Sequence, residues 1–236
     1  MNERRLNMKV TPFYDKKNKC LNCDHQFTTT KIRSRFVRIA APETDFKPVY
    51  TDNKVNPTYY NVSVCPICGF AFTEDFSPYF APGAKELIQK TITEKWSERS
   101  FGAIRDIDEA IETYKLAYLS ATLKKEKSIA VAGLTLRIAW LNRDKGNTEE
   151  EVRFLTIARN MYADSYSEED YVGTQMSETR VLYLIGELSR RIGDDEEAVR
   201  NFSRVIEQQS TSLEPQIVDM AKERWREMRE EKEVKL

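Results

Sequence analysis

Apolar positions recur along the chain with two periods, and the change falls near residue 80. Before it, residues 31–40 alternate. Ile32, Ser34 and Phe36 share one face, and Lys31, Arg33 and Arg35 share the other, which is the period of a strand. Val37 and Ile39 then fall on the basic side and blur which face is buried. A second strand is expected over residues 59–64, with Gly69-Phe70-Ala71-Phe72 continuing as strand or turn. Pro42, Pro48 and Pro57, with Asp52-Asn53, mark an irregular connection between the two. After Pro78 and Pro82-Gly83 the period becomes helical. Residues 84–96 place Leu87, Ile88, Ile92 and Trp96 on one side. Asp106 then caps a run in which Ile107, Ala110, Ile111, Tyr114, Ala117, Tyr118 and Ala121 recur at three and four residues. Residues 127–143 are apolar on two sides, as a helix between two neighbours requires.

The helical part also compares with itself. Tyr114, Ala158 and Phe202 lie 44 residues apart, as do Ala117, Met161 and Val205. The sharpest copy runs Leu182, Gly186, Gly193, Ala198, Phe202 and Val205, the spacing of a tetratricopeptide repeat. In that copy Gly186 and Ala198 are small where two helices approach, Gly193 ends the first helix and Asp194 caps the second. Pro215 opens a final helix with Ala221, Trp225 and Met228 on one face and many charges on the other. The expected architecture is α+β: a zinc-ribbon-like β module over residues 1–80, then a tetratricopeptide-like helical solenoid over residues 81–236. An irregular helical bundle is the alternative for the first hairpin.

All four cysteines fall in two pairs, Cys20-x-x-Cys23 and Cys65-x-x-Cys68. A two-residue spacer lets both sulfurs of a pair face one ion about 2.3 Å away, so the pairs suit a tetrahedral zinc site. Gly69 suits the positive φ such a knuckle often needs, and Asn22-Cys23-Asp24 can fill the same turn in the first pair. The 41 residues between the pairs exceed a compact knuckle spacing, so they must form structure of their own. Thiol redox chemistry is the rival reading. His25, the single histidine, is read as lying beside the cluster rather than in it.

Lys and Arg number 37 against 38 Asp and Glu, so no bulk attraction to polyanions is implied. The balance is uneven, however. Residues 1–80 carry 12 basic against 8 acidic side chains, formally +4, and the rest is formally −5. Lys31, Arg33, Arg35 and Arg38, near aromatics, are candidates for phosphate or base contacts; neutralising the thiolates beside a solvated strand face is the other reading. No stretch is apolar enough to span a bilayer, and MNERRLNMKV has no apolar core of a signal peptide, so a cytoplasmic protein is expected.

The run from Thr30 to Phe76 resembles the zinc-knuckle region of bacterial domain-of-unknown-function family 2225. The matching elements are Cys20/Cys23 with Phe27, Ile32-Arg33-Ser34, Asp45-Phe46-x-Pro48-x-Tyr50, Asn56-Pro57-x-Tyr59-Tyr60-x-Val62 and Val64-Cys65-Pro66-x-Cys68-Gly69. Lys47 stands where relatives often carry another Cys, and Phe70 where they carry Tyr. The resemblance implies an architecture and brings no activity with it.

No Gly-rich phosphate loop, nucleophile elbow or zinc-protease helix occurs, and one histidine leaves few acid–base pairs. Asp45, Glu74 and Asp75 are the carboxylates that flank the ribbon. The expectation is a non-catalytic cytosolic zinc-binding adaptor or scaffold with a structural zinc and a protein or peptide partner. Tyr114, Tyr118, Tyr162 and Tyr183 are candidate groove contacts or, alternatively, inter-helix packing. A nucleic-acid-binding ribbon with a helical regulatory or dimerisation arm is the second expectation.

Overall fold

The computed structural model describes residues 10–52 and 54–234, with backbone only at Val234. The expectation drawn from the first ten residues therefore lies almost wholly outside it, as does Asn53. Three antiparallel strand pairs come first, and seven α-helices follow among the described residues.

Strands β1 (Phe13–Lys19) and β2 (Gln26–Ile32) pair from Phe13↔Ile32 to Lys19↔Gln26. Their connection is the first cysteine knuckle. Strands β3 (Ile39–Pro42) and β4 (Pro48–Tyr50) pair around a bulge. The short strands β5 (Ser63–Val64) and β6 (Ala71–Phe72) flank the second knuckle. The single strand expected over residues 31–40 is not formed. The ladder stops at Ile32, a 3-10 turn covers Ser34–Phe36, and β3 begins at Ile39. Ser34 is exposed and Ile32 and Phe36 are only half-buried, so the face the alternation suggested is not continuously covered. The strand expected over residues 59–64 is likewise mostly a turn. Asn56 Oδ1 accepts from Thr58 N at 2.9 Å and Pro57 fixes the first φ, so Pro57–Tyr60 winds as a 3-10 turn and only Ser63–Val64 extends.

Helix α1 (Ala84–Thr91) ends earlier than residues 84–96 suggest, and a 3-10 turn over Thr93–Lys95 carries the chain to Trp96. Ala84, Ile88 and Ile92 face the core while Leu87 is exposed. The helices that follow are α2 (Ile107–Lys124), α3 (Ser128–Lys145), α4 (Thr148–Glu168), α5 (Glu178–Arg191), α6 (Asp195–Glu207) and α7 (Pro215–Val234). Their starts obey capping chemistry. Asp106 and Glu109 form a reciprocal capping box, and Asn147, Ser177 and Asp194 each accept a first-turn amide. From α2 to α7 each helix packs on the next. Helix α3 buries residues on opposite sides, among them Val131, Ala132, Leu136, Ile138 and Leu141, as a central helix must. The close approach of α5 and α6 rests on Gly186, where an added Cβ would lie 2.9 Å from the Phe202 ring. Tyr114, Ala158 and Phe202, 44 residues apart, are each buried on α2, α4 and α6.

A continuous hydrophobic cluster runs from Cys20, Cys65 and Cys68 through Phe70, Ile88 and Phe101 to α2–α5, ending at Leu188. A second cluster joins Leu182 and Tyr183 to Phe202, Val218 and Ala221. Arg105 joins the β region to the helices. Its buried guanidinium donates to the carbonyls of Phe101, Tyr59 and Val62 and to the Thr29 hydroxyl at 2.8–3.3 Å. Burial lowers its pKa to about 10, so the site stays cationic at neutral pH. No helix among the described residues is long and apolar enough to cross a membrane.

Candidate metal centre

The two knuckles repeat one backbone design at the tips of two hairpins. Cys20 N donates to His25 O at 2.9 Å, and Asp24 N to Cys20 O at 3.1 Å. In the second knuckle Cys65 N donates to Phe70 O and Gly69 N to Cys65 O, each at 3.0 Å. The residue after each second cysteine takes the left-handed conformation, with φ 62° at Asp24 and 70° at Gly69. Both positions were singled out in the sequence for that geometry.

The tips face each other. Cys20 Sγ lies 3.6 Å from Cys68 Sγ, and Cys23 Sγ lies 3.6 Å from Cys65 Sγ. All four sulfurs fall within 4.8 Å of one another. Four sulfurs about 2.3 Å from a common centre form a tetrahedron with edges of roughly 3.8 Å, so the set has the size of a thiolate metal site. The four are free thiols rather than disulfides, and all except Cys23 are buried. These four cysteines can therefore hold a metal ion.

Packed this closely, the sulfurs compete for protons. Hydrogen bonds from Cys20 and Cys68 pull the Cys65 thiol down to about 2. Hydrogen bonds with Cys65 and Cys68, with burial added, push the Cys20 thiol far up. A dication among the four sulfurs would let the whole set ionise.

Neighbouring side chains brace the second knuckle. Trp96 Nε1 donates to Pro66 O at 2.8 Å, Thr93 Oγ1 donates to Cys68 O at 3.1 Å, and Asn22 Nδ2 points at Cys68 Sγ from 3.8 Å. Sequence reasoning put Trp96 on a helix face and found none of these braces, because each joins positions 25 to 46 residues apart. His25 stays outside the cluster, exposed and stacked on Phe27.

The other candidate residues divide. Lys31 is half-buried, drawn 3.9 Å from Glu74, and burial lowers its pKa. Arg33, Arg35 and Arg38 are exposed; Arg33 lies over the Tyr14 ring and Arg35 over Phe36. Tyr114, Tyr162 and Tyr183 are buried and Tyr118 is half-buried. The Tyr114 hydroxyl donates to Thr58 O at 3.0 Å and that of Tyr183 to Thr44 O at 2.8 Å. Tyr114 and Tyr183 thus join their helices to the β region, while Tyr162 lines a cavity between α3, α4 and α5. Of the carboxylates, Glu74 pairs with Lys16 at 2.6 Å, and Asp45 is fully buried against Arg143 at 2.7 Å.

Fold and site together define an α+β protein with a four-cysteine centre between two hairpins and a stack of helices behind it. The chain belongs to the family described as uncharacterized protein conserved in bacteria (DUF2225), which it matches over residues 13–228. That span takes in both knuckles and most of α7. Comparisons with curated proteins and with solved structures return no match.

Proposed function

We propose that the protein is a non-catalytic cytosolic scaffold, stapled by a structural zinc ion and serving as an adaptor for a protein or peptide partner. The observation that carries this reading is the closed set of four sulfurs between two hairpins. Cys20, Cys23, Cys65 and Cys68 would complete a tetrahedral ion without a water ligand, the arrangement of a folding element. The hairpins it joins are short, and a small β unit of this kind buries too little area to stand alone. The helical pairs that follow, with the tetratricopeptide-like spacing of α5 and α6, supply the adaptor surface in this reading. It has an apolar groove between α6 and α7, floored by Ile206, Met220 and Trp225 and rimmed by Glu223 and Arg226. An amphipathic helix with an apolar face and mixed charges suits that groove.

Metal analysis of protein purified without added zinc tests the staple. One equivalent per chain is expected, lost together with cooperative melting in Cys65→Ser; well under one equivalent in a folded wild type overturns it. For the adaptor role, a protein partner captured by the wild type and lost in Trp225→Glu is expected. Retrieval of nucleic acid in place of protein favours the second reading.

That reading, a nucleic-acid-binding ribbon, is supported by the exposed Arg33, Arg35 and Arg38 beside Tyr14 and Phe36. Affinity for DNA or RNA that falls steeply with salt is its signature, and salt-independent or absent binding removes it.

A further inference from the structure

Arginines on the helices are almost all neutralised. Arg143, Arg153, Arg159, Arg180, Arg190, Arg191, Arg200, Arg224, Arg226 and Arg229 each have a carboxylate within ion-pair distance. Arg204 donates to the Tyr166 hydroxyl. Arg137 differs. Among the described residues its guanidinium has no carboxylate partner, and Nη1 folds back along α3 to donate to Gly133 O at 2.8 Å. It is half-buried and lines two adjoining cavities.

The larger cavity, about 680 Å³, lies between the β3–β4 hairpin tip, helices α3–α5 and the loop before α5. That is the size of a pocket for a small organic molecule. Its walls include Phe46, Leu136, Trp140, Tyr162, Met176 and Leu184. Tyr162 is buried, and its hydroxyl makes no hydrogen bond to a described residue. Gly133 makes room for the guanidinium: a Cβ there would lie 3.0 Å from Arg137 Nη1.

Negative charge in the walls is already committed or exposed. Asp45 accepts from Trp140 Nε1 at 3.0 Å and pairs with Arg143; Glu126 pairs with Lys124. Asp75 lines both cavities but is exposed and forms no ion pair with Arg137. Lys127 adds a second cation at the rim, its Nζ donating to Asp170 O at 3.3 Å. Burial pushes the Tyr162 phenol up to about 12 while the Arg137 charge acts against it, as a cation close to that ring must.

We propose that this cavity binds an organic anion with an apolar body, its acidic head on the Arg137 guanidinium and its body between Trp140, Tyr162 and Leu184. A charge-assisted bond to a guanidinium, made away from bulk water, supplies the specificity, and the apolar walls supply the contact area.

Two probes share one apolar frame: 8-anilinonaphthalene-1-sulfonate and the neutral N-phenyl-1-naphthylamine. The full-length wild type is expected to bind the sulfonate at one saturable site, at least about tenfold tighter than the neutral probe. Arg137→Gln should lose about tenfold for the sulfonate and nothing for the neutral probe, at an unchanged circular-dichroism melt. Filling the space with Ala130→Trp should remove both. A second readout needs no variant. Of the indole N–H resonances of Trp96, Trp140 and Trp225, only that of Trp140 lines this cavity and should shift on saturation. A shift at Trp225 places the probe in the α6–α7 groove and overturns the proposal. Equal affinity for the two probes, or an undiminished sulfonate affinity in Arg137→Gln, does so as well.

Discussion

Asp24 and Gly69 hold the same place in the two knuckles, yet they do not tolerate the same changes. Both have positive φ, and both donate a backbone N–H to the first cysteine of their pair. Asp24 is exposed and its carboxylate pairs with Lys19, 2.7 Å away across the surface. Gly69 lies under the indole that braces the second knuckle, and an added Cβ would sit 2.5 Å from Trp96. Gly69→Ala therefore combines left-handed strain with a clash against a fixed ring. The expected loss is about 3 kcal/mol, from ~1–2 for the conformation and ~1–3 for the overpacking. Metal affinity should weaken with it. Asp24→Gly relieves its strain at the cost of one surface ion pair and should melt where the wild type does. Thermal melts of the two variants with bound metal measured alongside check the pair; equal behaviour would mean that Trp96 does not fix the second knuckle.

At the scale of elements, the β3–β4 hairpin is the piece that depends most on charge. Its tip, residues 43–47, enters the helices. Glu43 pairs with Arg143, and Lys47 pairs with Asp144 and with Glu43. Thr44 accepts from Arg191 at 2.8 Å, and Phe46 packs on Tyr183 with ring centroids 5.3 Å apart. Burial alone would push the Asp45 carboxyl up, but Arg143 and Arg191 outweigh it and hold it below the ordinary 3.8. Glu187 is likewise raised by burial, overcome by Arg190 and Arg191, and held below the ordinary 4.5. Depressed carboxyls contribute stability that is complete above their ordinary values and is lost as pH falls through the folded ones. Stability is thus expected to be flat near neutrality and to decline below about pH 4, with the slope reduced in Asp45→Asn. That variant should also cost about 2 kcal/mol at pH 7, since it removes the buried carboxylate that accepts from Arg143 and Trp140 while leaving Glu43 and Glu151 on the half-buried guanidinium. Urea melts across pH read both effects, and an undiminished acid slope in the variant would contradict this account. The sequence carried no sign of the insertion. Asp45 stands out only as a flanking carboxylate and in the family resemblance, and Phe46 only in the resemblance, because their partners Trp140 and Tyr183 lie more than 90 residues away. The helices were legible from period and caps. The strand over residues 31–40 was misread because alternation alone does not supply a surface to cover it, and residues 59–64 because Asn56-Pro57 starts a turn.

For the whole molecule, the two hydrophobic clusters would set how far removal of an ion from the proposed zinc site spreads. Three of the cysteines belong to the cluster that continues through Phe70, Ile88 and Phe101 into α2–α5. The cluster built on α6 and α7 reaches that body through Leu182 and Tyr183 and holds no cysteine. A structural zinc, as proposed for the four cysteines, would contribute on the order of 10 kcal/mol, comparable to the whole stability of a domain, and the β region should lose its form when the ion is removed. The helical end has its own packed contacts, such as Gly186 against Phe202, which do not depend on the knuckles. Chelation should therefore unfold the molecule in order. Amide protons of β1, β2, β5, β6 and α1 are expected to exchange first, those of α2 next where Ser120 Oγ accepts from Ala71 N at 3.1 Å. Protection in α6 and α7 should persist longest. Hydrogen exchange followed after adding a chelator checks that order. Simultaneous loss throughout would make the chain one cooperative unit, and unchanged protection in the strand pairs would mean that the β region stands on its aromatic contacts without any ion.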